Sequence, residues 1–172
     1  MTSNRKRVTV RYTSGTASVA GAIEDAYSVF AELRDEMEDW RSNMEEKLGS
    51  TDKYSRVEEC AQALDEFADN SHDVPSCISD ETVQFQIGKK VSKKSPYPRH
   101  LRLSNAVNQI EAALEATEQM IDAKTLEKDE DGKGDEEIEK LEEEISELEE
   151  LKNNLEEDKD SAGNVEFPGM FG

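Results

Sequence analysis

The chain has 172 residues, of which 34% are apolar and 36% are charged, and its formal net charge at pH 7 is -20. This composition is typical of exposed helices and coiled coils, and it argues against a globular enzyme with a large core. The negative charge repels nucleic acid and anionic membranes over about one Debye length, roughly 8 Å in physiological salt. We therefore expect such partners only at local basic sites.

The charges are concentrated in separate parts of the chain. Residues 1–15 and 89–102, which we call the basic segments, contain basic side chains and no acidic one. Residues 125–160, which we call the acidic segment, hold 18 acidic and 5 basic side chains. Two basic segments therefore lie within an otherwise acidic molecule.

The first predicted element is a short strand in a basic N-terminal arm, residues 1–15. Residues 7–12 alternate between apolar and basic or polar side chains, and this period of two predicts a strand with a basic outer face. Ser-Gly-Thr at 14–16 predicts the end of the strand and a capping hydroxyl for the next helix. The strand resembles the opening strand of ribbon-helix-helix DNA-binding proteins, although that family breaks its first helix after about three turns and this chain does not.

Residues 16–69 predict a hairpin of one long helix and one shorter helix. Apolar side chains recur every seven residues in two interleaved series from Ala17 to Leu48, and Gly49 predicts the end of this helix. A shorter amphipathic helix follows to about Asp69. Because it is too short to cover the whole apolar stripe of the first helix, we expect self-association through the uncovered part. The residues of this helix seam are Ile23, Phe30, Leu33, Met37, Trp40 and Met44.

Residues 70–100 predict an irregular connection that contains a short strand and a basic loop. The polar and proline-containing stretch from Asn70 to Ser79 favours irregular structure, and strict alternation returns from Thr82 to Ile87. Pairing of this strand with the N-terminal strand would satisfy the backbone groups of both.

Residues 101–157 predict a second helical hairpin. A third helix has an apolar face from Leu103 to Ile121, and a fourth, acidic helix has a heptad pattern from Ile138 to Leu155. The charged, glycine-containing residues 127–136 separate them. The predicted fold is thus mainly α, with two antiparallel, coiled-coil-like helical hairpins and a small β element.

Residues 158–172 predict a flexible tail with an apolar tip, which is unusual because chain termini are mostly polar and frayed. The tip is similar in kind to the tails by which bacterial single-stranded-DNA-binding proteins recruit partners and to the end peptides with which phage polymerases hold sliding clamps. This resemblance makes Phe167, Met170 and Phe171 candidate anchors for a protein partner. The alternative is that the tail packs on the chain itself.

No pattern in the sequence predicts a catalytic, cofactor or metal site. His72 and His100 lack a nucleophile or a metal-ligand spacing, and the loop from Asp129 to Gly134 fails the calcium-loop pattern in both possible registers. The two cysteines do not form a disulfide framework, and no apolar run is long enough to span a membrane. These observations favour a cytoplasmic protein without a membrane partner.

We therefore expect a non-enzymatic, acidic helical adaptor or scaffold that acts through protein–protein contacts and forms homo-oligomers. One alternative is an accessory protein that binds nucleic acid, because lysines contact phosphates and a tyrosine can stack on a base. A second alternative is an acidic mimic of nucleic acid. The candidate nucleic-acid contacts are Arg5, Arg7, Arg11, Lys89, Lys90, Lys93, Lys94, Tyr97, Arg99 and Arg102.

Overall fold

The computed structural model describes residues 9–91 and 96–169. Its elements follow the order β1 (Val10–Ser18), α1 (Val19–Leu48), α2 (Asp52–Asp65), β2 (Thr82–Lys90), α3 (Arg99–Lys128) and α4 (Asp135–Gly163). Helices α1 and α2 form one hairpin, α3 and α4 form another, and β1 pairs with β2 in an antiparallel ribbon. The prediction of a mainly α fold with two helical hairpins and a small β element is confirmed. No helix formed by the described residues has the length and apolar character needed to cross a membrane.

The apolar stripe of α1 is buried inside a single chain. Phe30, Leu33 and Met37 are fully buried, Ile23 and Met44 are nearly so, and Trp40 is half-buried against the same core. Helix α3 packs along α1 in addition to α2. The stripe therefore gives no reason for self-association, because α3 covers it together with α2, which was the only cover expected from the sequence.

Three aromatic rings form the centre of this core. The ring of Phe30 is nearly perpendicular to that of Tyr27, at a centroid distance of 5.4 Å, and to that of Phe67, at 5.0 Å. Such edge-to-face pairs stabilise by about 0.5–1.5 kcal/mol beyond the burial of their area. Phe67 follows α2, which ends at Asp65 and not near Asp69 as predicted.

Strand β1 is longer than the sequence predicts, because residues 14–16 lie inside it and do not end it. Gly15 faces Phe85 across the ribbon, and a Cβ atom at Gly15 would lie 2.6 Å from the ring of Phe85. The glycine is thus needed for close cross-strand packing and not for a turn. The strand continues to Ser18, whose hydroxyl caps α1 by accepting a hydrogen bond from the backbone N–H of Gly21 at 3.1 Å.

The last helix is also longer than predicted, since α4 continues through residues 158–163 of the predicted flexible tail. Asp158 and Ala162 are buried and extend the spacing of Leu148, Leu151 and Leu155. The helix persists because its inward face remains covered for two further turns.

The outer edge of β2 is closed by α3. The side chain of Asn105 accepts a hydrogen bond from the backbone N–H of Gly88 at 2.7 Å and donates one to its C=O at 3.0 Å. Asn108 donates to the C=O of Gln86 at 2.9 Å. Helix α3 therefore satisfies three outward backbone groups in the second half of β2, where a third strand would otherwise bind.

We expect Asn105→Ala to lower the free energy of unfolding by about 2 kcal/mol, because two hydrogen bonds are lost and Gly88 is buried. Asn108→Ala, which removes a single exposed bond, should cost less than about 1 kcal/mol. Urea denaturation followed by circular dichroism measures both. Equal, small losses would contradict the role given to Asn105.

Candidate functional site

The ribbon brings the two basic segments together. In the antiparallel register Arg11 lies directly opposite Lys89, and Val10 lies opposite Lys90. Arg11 and Lys89 are exposed and Lys90 is half-buried. The 9 residues of β1 and the 9 of β2 include no acidic side chain. The ribbon is thus a local basic surface on a chain whose net charge is -20.

Arg11, Lys89 and Lys90 have no carboxylate partner within ion-pair distance among residues 9–91 and 96–169. The side chain of Lys89 instead lies near Tyr97, with Nζ 5.8 Å from the ring centroid. Tyr97 is 44% exposed, so its ring is available to a ligand. Arg5, Arg7, Lys93 and Lys94, which were predicted for the same role, lie outside the described residues.

The other two predicted nucleic-acid contacts are occupied by the chain's own acidic side chains. Arg99 Nε donates to Glu36 Oε2 at 2.8 Å, and the guanidinium of Arg102 binds both Glu36 and Glu32. The guanidinium of Arg99 also lies 5.3 Å from the centroid of the Trp40 ring. These contacts join the start of α3 to the middle of α1, so the two arginines stabilise the fold.

The pKa of Glu36 reflects these contacts. Burial alone would raise the pKa, but the hydrogen bonds and charges of Arg102 and Arg99 outweigh burial and hold the pKa below its ordinary value of 4.5. The carboxylate form is therefore favoured in the folded protein.

Phe167 of the apolar tip packs on the chain's own core. Its half-buried ring borders two cavities, one of about 550 Å³ beside Cys60 on α2 and one of about 500 Å³ beside His100 and Leu103 on α3. This placement agrees with the alternative of a tail that packs on the chain. Met170 and Phe171, the other two predicted anchors, lie outside the described residues.

His72 belongs to a polar cluster around the buried carboxylate of Asp158, which the sequence did not predict. Asp158 is 4% exposed; it accepts hydrogen bonds from the Tyr27 hydroxyl and, at 2.7 Å, from Asn70 Nδ2, and His72 Nε2 lies 2.7 Å from its Oδ2. Burial and then the contact with Asp158 raise the pKa of Tyr27. The spacing of Leu148, Leu151 and Leu155 was the available signal, because it places Asp158 at the next inward position.

This cluster connects three separate parts of the chain. Tyr27 lies on α1, Asn70 and His72 lie in the connection after α2, and Asp158 lies on α4. No buried side-chain nitrogen or oxygen among the described residues lacks a hydrogen-bond partner. The arrangement accounts for His72 as a structural residue.

The described residues contain no group of three or more side chains that could hold a metal ion. Lys133, in the loop that was compared with a calcium site, lies 3.2 Å from a carboxylate oxygen of Glu137 and 3.5 Å from one of Glu127. Both cysteines are free, and burial raises the pKa of the Cys60 thiol to about 11. This thiol is a poor nucleophile at neutral pH.

We expect Glu36→Gln to destabilise the protein at pH 7 by at most about 1 kcal/mol, since solvent screens the partly exposed pairs with Arg99 and Arg102. Because the folded-state pKa of Glu36 lies below 4.5, its contribution is present above that pH and is lost as the pH falls through the folded value. The difference from wild type should therefore shrink between pH 7 and about pH 3 in urea denaturation. Glu139→Gln, at an exposed position of α4, is the control and should show no such pH dependence.

We expect Asp158→Ala to cost about 3 kcal/mol, because the donors on Tyr27 and Asn70 and the ring of His72 lose their common partner in a buried site. Tyr27→Phe removes one donor and should cost about 1 kcal/mol. Thermal unfolding of both variants measures the difference. A neutral Asp158→Ala variant would mean that the cluster does not hold the three segments together.

Comparison of the chain with protein-family models, with curated proteins and with solved structures finds no significant match. The function must therefore be inferred from the chain's own residues. In the basic ribbon, Arg11 lies opposite Lys89, and neither has an acidic partner among the described residues.

Proposed function

We propose that the chain is a non-enzymatic adaptor that acts through protein–protein contacts, with the ribbon of β1 and β2 as its main binding element. The observation that supports this proposal is the placement of Arg11 directly opposite Lys89 on an exposed surface. Like charges directly opposite each other destabilise a strand pair. A bound acidic group would remove this repulsion, so the arrangement favours a ligand that carries carboxylates or phosphates.

The charge distribution favours a protein ligand over nucleic acid. Affinity for nucleic acid depends on the number of phosphates that basic side chains neutralise. Arg99 and Arg102 are occupied by Glu36 and Glu32, which leaves Arg11, Lys89 and Lys90 as the candidate contacts among the described residues. The surrounding acidic molecule repels a polyanion more strongly than a short acidic segment of a protein.

Nucleic-acid binding is the second candidate, and one observation favours it. The ribbon joins the two basic segments at one place, where Tyr97 offers an exposed ring for stacking on a base. A two-stranded ribbon is also narrow enough to enter a major groove.

The proposal needs neither an oligomer nor the C-terminal tip. The apolar stripe of α1 is covered within one chain, and Phe167 packs on the core. Self-association, a cytoplasmic location and partner binding by Met170 and Phe171 stay expectations from the sequence.

Affinity capture from a lysate of the source cells, quantified by mass spectrometry, tests the proposal. We expect the variant Arg11→Glu with Lys89→Glu to lose specific protein partners by about tenfold or more, the effect of about 1.4 kcal/mol of binding free energy. The matched control reverses two exposed cations on helices, Arg56→Glu with Lys140→Glu, and should retain the partners.

Nuclease treatment of the lysate separates the two candidates. Partners that bind the adaptor directly should persist after treatment, whereas partners held through nucleic acid should disappear. Labelled DNA that binds at low salt and is lost in the Arg11→Glu with Lys89→Glu variant would favour the second candidate. Identical partner sets for wild type and this variant would contradict the ribbon as binding element.

A further inference from the structure

The two edges of the ribbon differ in how their backbone groups are satisfied. On β2, Gly88 is bound by Asn105, the C=O of Gln86 by Asn108, and the N–H of Lys90 by the C=O of Pro96 at 2.8 Å. These contacts show which way the backbone groups of β2 point: in each of the three residues, the bonded N–H and C=O groups point away from β1.

The register then determines which groups of β1 point outward. Residues directly opposite each other in an antiparallel pair turn their backbone groups either both toward each other or both away. Tyr12 lies opposite Gly88 and Ser14 lies opposite Gln86, so both direct their N–H and C=O groups away from β2. Val10 and Thr16 share this orientation. No donor or acceptor within the described residues binds the outward groups of these four residues.

Strand β1 lacks the usual protection of an exposed edge. Native edges are commonly shortened, bulged, or interrupted by proline or by inward-pointing charges. Here 9 residues pair with β2 in continuous register, without proline or a bulge, and Arg11 is the single charged side chain. An edge of this length without protection is a template for another strand.

The side chains beside this edge define what a bound strand should carry. Arg11 and Lys89 lie on one face of the ribbon, and Tyr12, which is 61% exposed, lies on the other. A strand added beside β1 places alternate side chains next to Arg11 and next to Tyr12. Acidic residues are complementary to the first position, and β-branched or aromatic residues to the second.

We propose that the outer edge of β1 is a strand-addition site for an extended segment of a partner protein in which acidic residues alternate with β-branched or aromatic residues. This inference rests on the proposed adaptor function and names the class of its partner. A second copy of this chain fits less well, because β1 contains no acidic residue to place beside Arg11 and Lys89.

Fluorescence anisotropy with a short labelled peptide of alternating glutamate and valine tests the site. We expect Ser14→Pro to weaken binding by about tenfold or more, because the change removes an outward N–H and adds a ring at the edge while no hydrogen bond to β2 is lost. Arg11→Glu should weaken binding to a similar extent, and a peptide of alternating lysine and valine should bind this variant better than wild type. Arg56→Glu is the charge-matched control and should leave the affinity unchanged.

Two methylated peptides test the hydrogen-bond pattern without any change to the protein. If the added strand runs antiparallel to β1, a residue opposite Tyr12 would exchange hydrogen bonds with it, whereas a residue opposite Arg11 would turn its backbone away. Methylation of the valine nitrogens should therefore abolish binding, and methylation of the glutamate nitrogens should leave it intact. Equal affinities of the two peptides, or a folded Ser14→Pro variant with unchanged affinity, would overturn strand addition. The peptide would then be bound through its charge alone.

Two further measurements distinguish other occupants of the edge. A dimer in sedimentation equilibrium that Ser14→Pro converts to a monomer would assign the edge to a second copy and overturn the proposal. Displacement of the peptide by duplex DNA at low salt, together with the absence of nuclease-resistant partners, would overturn both this proposal and the adaptor function. Ribbon-dependent protein partners without peptide binding would overturn strand addition alone.

Discussion

The apolar stripe of α1 packs against α2 and α3 at once, and the positions of the other elements follow from this contact. Each large side chain that it buries contributes roughly 1.5–3 kcal/mol relative to exposure. Since 36% of the residues are charged, the chain has little apolar surface to build a second core. Helix α3 packs on the stripe and holds the ribbon through Asn105. The position of the candidate site therefore depends on the core, although the basic residues of the site do not contact it.

Charge pairing within the bundle determines which charged surfaces stay available. Arg102 and Arg99 bind acidic residues of α1, and Lys124 Nζ lies 2.6 Å from Glu144 Oε2 between α3 and α4. The same hairpin is joined by Lys152 and Glu118 at 3.0 Å. These contacts partly offset the repulsion within the acidic segment. The outward acids of α4 and the cations of the ribbon remain as surfaces of opposite sign.

Hydrophobic periodicity predicted the four helices and the two strands, and the need to satisfy backbone hydrogen bonds predicted that the strands pair. It could not predict the role of Gly15, because the sequence does not distinguish a glycine that leaves room for the ring of Phe85 from a glycine that ends a strand. It also missed Asp158, because an acid interrupts the count of apolar residues even where the helix continues. The expectation of self-association did not take α3 into account, because the contact of α3 with α1 joins residues that are far apart in the sequence.

The candidate site was only partly predictable for a related reason. The sequence identified the basic residues but not which of them are neutralised, and Arg99 and Lys89 belong to the same basic segment. The structure distinguishes them, because Arg99 forms an ion pair with Glu36 whereas Lys89 lies opposite Arg11, which is also basic. Such a distinction depends on long-range contacts that local patterns do not contain.

The junction between β1 and α1 has a mechanical consequence. Ser18 is both the last residue of the strand and the cap of the helix, and the first backbone N–H groups of α1 donate to the C=O groups of Glu81 and Ser79 just before β2. Both strands are thus anchored to one helical turn with no hinge between them. A rotation of the ribbon relative to α1 would have to break the Ser18 cap and these two backbone hydrogen bonds, so anything bound to the ribbon would keep a fixed orientation to α1.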